Sequence, residues 1–345
     1  MPVKHLKYFI SFLLIVSFSC TNEETKNIGN IENEMLKNII VEEKEPVKVV
    51  EQTPDGTKFN QPNSIQYNKY DNRVYVVDSR NHRIVVFDAD LNFVREFGVY
   101  GQGPGEFDTP GGIAFTENGD YIISDLRNQR LQIFNKDFNF VSQFEVHQPM
   151  GNVYNVNTDS EGKIYINLPK NNYLITVMNK TFDELKKYGE IFIDNKSYLP
   201  IENKINFVIN DYDNLYCVFL NQTFLRKYNK NGELINEIDI SYLPMVKNRL
   251  KQLKERRNEQ DKKNKNVYVD KGLTTCISID NNYLYLQFRG DEEFPIYAFD
   301  KEELKPVKKI EFKNKGAKFL YFDFTSEKYF YAISRSKNTI TKFTK

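Results

Sequence analysis

Val74-Tyr-Val-Val-Asp78-Ser-Arg-Asn81-His-Arg83-Ile-Val-Val-Phe87 is followed, 47 residues on, by Tyr121-Ile-Ile-Ser-Asp125-Leu-Arg-Asn128-Gln-Arg130-Leu-Gln-Ile-Phe134. Asp, Asn, Arg and the closing Phe stand at the same offsets in both copies. A spaced self-match with a period in the forties marks stacked copies of one supersecondary unit, the arrangement of propeller blades.

Outward from these copies, the chain from residue 44 onward is a succession of short apolar or alternating segments broken by Asn, Asp, Gly and Lys. That is the pattern of antiparallel strands joined by tight turns. The first unit parses into Ser64–Tyr67, Arg73–Asp78, Arg83–Phe87 and Phe93–Phe97, and the second repeats it from Gly112 to Phe144. Units three to five, Val153–Tyr188, Ile205–Ile240 and Thr275–Phe312, keep the rhythm without the signature. The last, Phe319–Phe343, is one strand short, while Val47–Glu51 stands alone ahead of the first. Pairing that solitary segment with the last unit closes a ring and hides strand edges that would otherwise template aggregation. The expected fold is therefore all-β: a six-bladed propeller of four-stranded antiparallel blades over residues 44–345, its N-terminal strand completing the last blade. One stretch, residues 241–270, breaks the rhythm. There Val246, Leu250 and Leu253 recur at helical spacing on a very polar background, which predicts a helical insert between units four and five.

The two copies, with Gly101-Gln-Gly-Pro-Gly-Glu-Phe107-Asp-Thr-Pro110 between them, resemble NHL repeats of a β-propeller over residues 59–146. The whole arrangement resembles the six-bladed propeller lipoproteins of Bacteroidota-like bacteria. The resemblance implies a rigid scaffold and leaves the activity open, since most members of that group have none established.

The chain ends add a location. Lys4 and Lys7, the apolar run Tyr8–Phe18 and the small residues before Cys20 read as a secretory signal over residues 1–19. The apolar run is too short to span a bilayer. Cys20 at the cut resembles the acylated first residue of a bacterial lipoprotein, and the polar residues 20–43 read as a flexible tether. The expectation is an outer-membrane lipoprotein, on the periplasmic side or at the cell surface, monomeric and held to the membrane through its lipid. Of 48 Lys and Arg, 46 remain without Lys4 and Lys7, against 47 Asp and Glu, a balance that offers no field for nucleic acid. Cys217 and Cys276 fall in separate segments and are expected to be unpaired thiols, one disulfide being the alternative.

The repeated Asp and Arg flank a tight turn, so Asp78 with Arg83, and Asp125 with Arg130, are expected to hold turns and neighbouring blades together. Asn81 and Asn128 are expected at the positive φ of those turns. The Gly101–Gly105 run is not a phosphate loop: no Lys-Ser/Thr follows, Pro104 removes an amide donor, and a strand comes next. Antiparallel topology places every loop between second and third strands on the same face as the blade-to-blade connectors. Ser79–His82, Leu126–Gln129, Leu168–Asn172, Asn221–Gln222, Arg289–Glu293 and Arg335–Asn338 should gather there, with the insert. Loops converging on a rigid scaffold form binding sites. The candidate residues are Arg80, His82, Arg127, Gln129, Lys170, Arg289 and Asp291, serving an envelope protein, peptide or glycan. The basic insert, with nine cationic and three acidic side chains between Lys247 and Lys265, could add an acidic partner or lipid headgroups.

The rival expectation is an enzyme. Some propellers of similar sequence are hydrolases or lyases with a metal in the channel. Zinc takes several His or Cys ligands, and after Cys20 the chain has only His82 and His147. Calcium takes oxygen ligands, and Asn152, Asn157, Asn210 and Asp323 belong to or border inner strands. There is no Gly-x-Ser-x-Gly elbow. A non-catalytic binding module without cofactor is the expectation, with the calcium enzyme as its alternative.

Overall fold

The computed structural model describes residues 36–146, 155–170, 173–192, 202–261, 272–290, 294–312, 319–324, 326–334 and 336–345. Met1–Asn38 is one unit, of which residues 36–38 are described, and Ile39–Lys345 is another that carries every sheet. Cys20, and with it the signal and most of the tether, lies outside the described residues.

Two strands, β1 (Ile40–Lys44) and β2 (Pro46–Val50), precede the first blade. Blade 1 is β3 (Pro62–Asn68), β4 (Arg73–Asp78), β5 (Arg83–Asp88) and β6 (Phe93–Phe97). A short parallel pair, β7 (Val99–Tyr100) and β8 (Glu106–Phe107), sits in the connector to blade 2. Blade 2 is β9 (Pro110–Phe115), β10 (Tyr121–Asp125), β11 (Arg130–Phe134) and β12 (Phe140–Glu145). Blade 3 is β13 (Val156–Thr158), β14 (Ile164–Lys170), β15 (Tyr173–Met178) and β16 (Glu184–Glu190). Blade 4 is β17 (Ile205–Ile209), β18 (Leu215–Phe219), β19 (Phe224–Tyr228) and β20 (Leu234–Asp239), followed by helix α1 (Pro244–Asp261). Blade 5 is β21 (Thr274–Ile279), β22 (Tyr283–Phe288), β23 (Ile296–Asp300) and β24 (Pro306–Phe312). Blade 6 is β25 (Phe319–Asp323), β26 (Tyr329–Ser334) and β27 (Thr339–Thr344), completed by β2.

This is a six-bladed propeller. The strand pairing β2 to β27 is antiparallel, with Val50 beside Ile340, so the strand just ahead of blade 1 and the last strand of the chain meet in blade 6 as the strand deficit requires. Successive inner strands touch all the way round, β3 to β9, β13, β17, β21, β25 and back to β3. The core lies between blades. One apolar cluster joins Val77, Ile84 and Val86 of blade 1 to Ile113, Ile123 and Phe134 of blade 2. Another joins Ile333 and Ile340 of blade 6 to Phe59, Ile65 and Val76 at the start of the ring. Because each blade is covered on both faces, middle strands read as apolar runs: Val74 through Val77 are all fully buried.

Local chemistry shapes each sheet. The third and fourth strands of all six blades carry a register shift, in blades 1 to 5 beside the turn that joins them, for example between Val86 and Phe87, which steepens the twist that fans a blade. The turn before it opens on an Asp or Asn whose oxygen accepts amides from just beyond. Asp88 takes Asp90 and Asn92, and Asn135 takes Asp137 and Asn139.

One expectation is corrected here. Ile40–Lys44, part of the stretch read as tether, is strand β1, lying parallel along β24 as a fifth strand of blade 5. Its Glu42 meets Lys308 at 2.9 Å, a pairing invisible until the two segments are brought side by side. The helix occupies Pro244–Asp261 of the insert, with Val246 and Leu253 buried and Leu250 half-buried, while residues 262–271 lie outside the described residues. Cys217 and Cys276 are free, and burial pushes both thiols up to about 12.

Truncation separates the roles of the two N-terminal strands. A chain beginning at Pro46 should keep a single cooperative thermal transition within a few degrees of the parent. A chain beginning at Glu51 loses the strand that closes the ring and should melt about 5 °C or more lower, as expected for a loss of a few kcal/mol in a domain of this size. Differential scanning calorimetry reads both.

Candidate functional site

The repeated signature is a clamp on the connectors. In blade 1, Asp78 accepts the Asn60 amide at 2.7 Å, the Asn81 side-chain amide at 2.8 Å and Arg83 Nε at 3.0 Å. Asn81 also donates to the Lys58 carbonyl, and Arg83 reaches Glu96 at 2.7 Å. In blade 2, Asp125 accepts the Asp108 amide at 2.8 Å, Asn128 at 2.8 Å and Arg130 Nε at 2.9 Å. Arg130 then binds the carbonyls of Gln102, Gly103 and Glu106, and Asn128 that of Gly101. Burial pushes both Asp carboxyls up, and the amide, Asn and Arg donors pull against it. The glycine-rich run is thus a strapped connector. Gly98, where the connector leaves β6, sits at φ +94°, and a Cβ there would come within 2.6 Å of the Phe107 ring.

The positive φ falls one residue later than expected, at His82 (57°) and Gln129 (52°), because Asn81 and Asn128 serve as side-chain donors to the connector instead.

The turns do gather with the connectors on one face. Arg80 donates its amide to the Asn60 carbonyl, Arg127 to Asp108, Leu220 to Lys204, and Arg289 to Leu273. The segment leading to helix α1 leaves the same side: Ile240, four residues before Pro244, donates its amide to the Thr223 carbonyl in the turn of blade 4. Arg127 and Gln129 come together in a pocket of about 390 Å³, walled also by Gln102, Arg130, Gln143 and Glu145. The Arg127 guanidinium is exposed and has no partner among the described residues; Glu145 is likewise exposed and unpaired there. The other candidates stand apart. Arg80, exposed at blade 1, lies 3.4 Å from Gln61 Oε1, and Arg289 is exposed at blade 5. His82 turns into the fold: its Nδ1 accepts the Thr109 amide at 3.2 Å and its ring meets Tyr100 edge-on. Lys170 belongs to strand β14, paired with Tyr173, because that hairpin is longer than its sequence suggested. Asp291 lies outside the described residues. Gln102, Gln143 and Glu145 were missed by sequence reasoning, although Glu145 stands directly opposite Arg130 in the β11–β12 register.

The far face is different. Asn68-Lys-Tyr-Asp-Asn72 of blade 1 and Asn210-Asp-Tyr-Asp-Asn214 of blade 4 are matching turns on opposite blades. Their one variable position holds opposite charges, and Lys69 bonds Asp211 across the axis.

Of the calcium candidates, Asn152 lies outside the described residues. Asn157 donates to the Phe207 carbonyl at 2.9 Å and to Asn155. Asn210 accepts the amides of Tyr212 and Asn214. Asp323, fully buried on β25, accepts the Tyr67 amide of blade 1 and Ser278 of blade 5, tying three blades together. Among the described residues no three His, Cys, Asp or Glu side chains form a metal-holding group.

An NHL repeat model matches residues 59–87 and 107–134. The two matches cover the first three strands of blades 1 and 2. RING finger protein nhl-1 of Caenorhabditis elegans is 54% identical over 41 residues, 12% of this chain and only 4% of that protein's length. Three solved structures share the fold over most of their length. A protein of Bacteroides fragilis NCTC 9343 described as exported has 15% identity and TM-score 0.58, covering 89% of this chain and 99% of its own. Streptogramin B lyase has 14% identity and TM-score 0.53, covering 87% and 96%. A catalytically inactive histidine-to-alanine variant of virginiamycin B lyase from Staphylococcus aureus, with quinupristin, has 12% identity and TM-score 0.54, covering 88% and 96%. At these identities the likeness is one of fold.

Replacing Asp125 by Ala strands Arg130 against the connector and should cost about 3 kcal/mol in denaturant unfolding, the low end for a broken buried pair because carbonyls still hold the guanidinium. Exposed Asp137→Ala in the same blade is the control, with an effect within about 0.5 kcal/mol. Tm should also be the same in millimolar calcium and in chelator, since Asn157, Asn210 and Asp323 are each committed to protein bonds; a calcium-dependent rise would restore the metal site.

Proposed function

We propose that the protein is a binding module, held at the outer membrane through a lipid on Cys20, that presents its connector face to an envelope protein, peptide or glycan. The observation that carries this reading is the pocket on blade 2. An exposed Arg127, without a side-chain partner among the described residues, stands there with Gln129 on a turn that the Asp125 clamp holds rigid, and Glu145 of β12, likewise unpaired among them, lines the same pocket. An arginine fork with ordering already provided by its scaffold suits a carboxylate or similar anionic group on the ligand. The bridge between Lys69 and Asp211 on the far face favours the connector face as the side of approach.

The alternative, a channel-sited calcium-dependent hydrolase or lyase, draws support from the fold shared with the two lyases. His82, the one histidine among the described residues, is engaged with the Thr109 amide, which weighs against it as a base.

Capture from envelope extracts tests the reading. Wild-type protein should enrich a partner that Arg127→Ala retains about tenfold less, the equivalent of one charge-assisted contact. Lys136→Ala, on the far turn of the same blade, should bind like wild type. Equal recovery by all three would remove the rim from consideration.

A further inference from the structure

Two outer strands of this propeller are near copies, and only one is covered. β16 carries Leu185-Lys186-Lys187-Tyr188 and β24 carries Val307-Lys308-Lys309-Ile310. They also match in register. Lys186 pairs with Val177 and Lys187 with Thr176, just as Lys308 pairs with Ala298 and Lys309 with Tyr297, and a register shift follows at the same place in each. On β24 the acidic strand β1 is seated in parallel, Ile40 beside Lys308 through Lys44 beside Phe312. Its third residue, Glu42, reaches back to Lys308 at 2.9 Å, and Val307 is half-buried.

The edge of β16 has the same fittings unused. Among the described residues no strand lies outside it. Leu185, the counterpart of Val307, is 48% exposed. Lys186, the counterpart of Lys308, donates to the Lys230 carbonyl and has no carboxylate within ion-pair distance among the described residues, Asp159, Glu161 and Asp213 acting on it only from further off. The two ammonium groups respond accordingly: the hydrogen bond that Lys308 donates to Glu42 raises Lys308, whereas burial, then Lys163, lowers Lys186.

We propose that the outer edge of β16 docks an extended acidic segment of a partner polypeptide, added as a parallel fifth strand in the manner of β1 on β24. Main-chain pairing supplies the attachment, and an acidic side chain two residues along from the one beside Lys186 supplies the selectivity. The competing role for such lysines is to guard a bare edge against any pairing.

The probe is a fluorescent peptide with the sequence of residues 39–45, Ile-Ile-Val-Glu-Glu-Lys-Glu, titrated into the full chain. Hydrogen exchange then locates it. The expected result is saturable binding that protects amides of residues 184–190. It should weaken at least tenfold for a peptide with both Glu42 and Glu43 changed to Gln, and likewise for the Lys186→Glu protein. The peptide variant makes the test independent of whether that protein folds well. No binding, equal binding of the Gln peptide, or protection confined to residues 306–312 through displacement of β1 would each overturn the proposal. So would a concentration-dependent dimer abolished by Lys186→Glu, which would make the donor a second copy of this chain.

Discussion

The pairing of Pro46–Val50 with β27 is the constraint under which everything else holds. It joins segments separated by roughly 290 residues, a closure that costs on the order of 5 kcal/mol in chain entropy beyond a constant term. What offsets it is collective. The closed ring lets Tyr331, Ile333 and Ile340 pack on Phe59, Ile65 and Val74, so blade 6 meets blade 1 through apolar contacts like those between other neighbours. Charged groups extend the seam: Lys48 binds Asn92 and the Asp90 carbonyl, and Lys342 binds Asp90, tying the closing sheet to the first outer turn. Asp323 does the same at the inner radius, with partners in blades 1 and 5. An open ring would expose all of these at once.

How much of this was legible depended on which residues perform a given task. In blades 1 and 2 the connector clamp is an Asp with an Arg and an Asn, chemistry unusual enough to be seen as a repeat. In blades 3 and 4 neutral amides take over. Asn167, fully buried, bonds the Leu174 carbonyl and the Ile205 amide, and Asn221, also buried, accepts the Gly272 amide. The geometry persists while the letters change, so the rhythm survived and the signature did not. Strand β1 was unreadable for another reason. Ile-Val-Glu-Glu-Lys has no partner nearby in sequence, and Glu42, in a stretch polar enough to read as a tether, is the group that pairs it with Lys308 of β24.

The same division explains where the candidate site lies. Of the six turn positions from Asp to Arg, the clamp consumes the first, fourth and sixth, and the second is buried as Ser79 or Leu126. The third and fifth remain. In blade 1 the fifth, His82, is drawn inward to the Thr109 amide, which leaves Arg80 alone at the surface. In blade 2 the fifth is Gln129, which makes no such contact and stays with Arg127 in the pocket. Of the two positions at which these turns differ, the fifth therefore decides which copy keeps both of its surface residues in the pocket. The sequence placed these residues on a shared face correctly, but choosing between blades needed the outer strand, where Gln143 and Glu145 supply the opposite wall.

The two faces of the ring are unlike because of a second repeat, spaced three blades apart. Asn68 and Asn210 shape their turns alike, each accepting the amide of the tyrosine two residues on. Matching turns on opposite blades must point at one another across the axis, so the residue that varies between them decides whether the mouth is held open or drawn together. Like charges at that position would repel; Lys69 and Asp211 attract. Ser160 of blade 3 adds its amide and hydroxyl to Asp213 on the same turn, bracing the Asp211 side of the bridge. A ligand approaching from that face would have to part an exposed ion pair, which contributes little stability on its own and is weakened by salt. The far mouth is therefore a light closure on a rigid frame, and the connector face, fixed by buried clamps, would offer the proposed partner a surface that does not have to be rearranged.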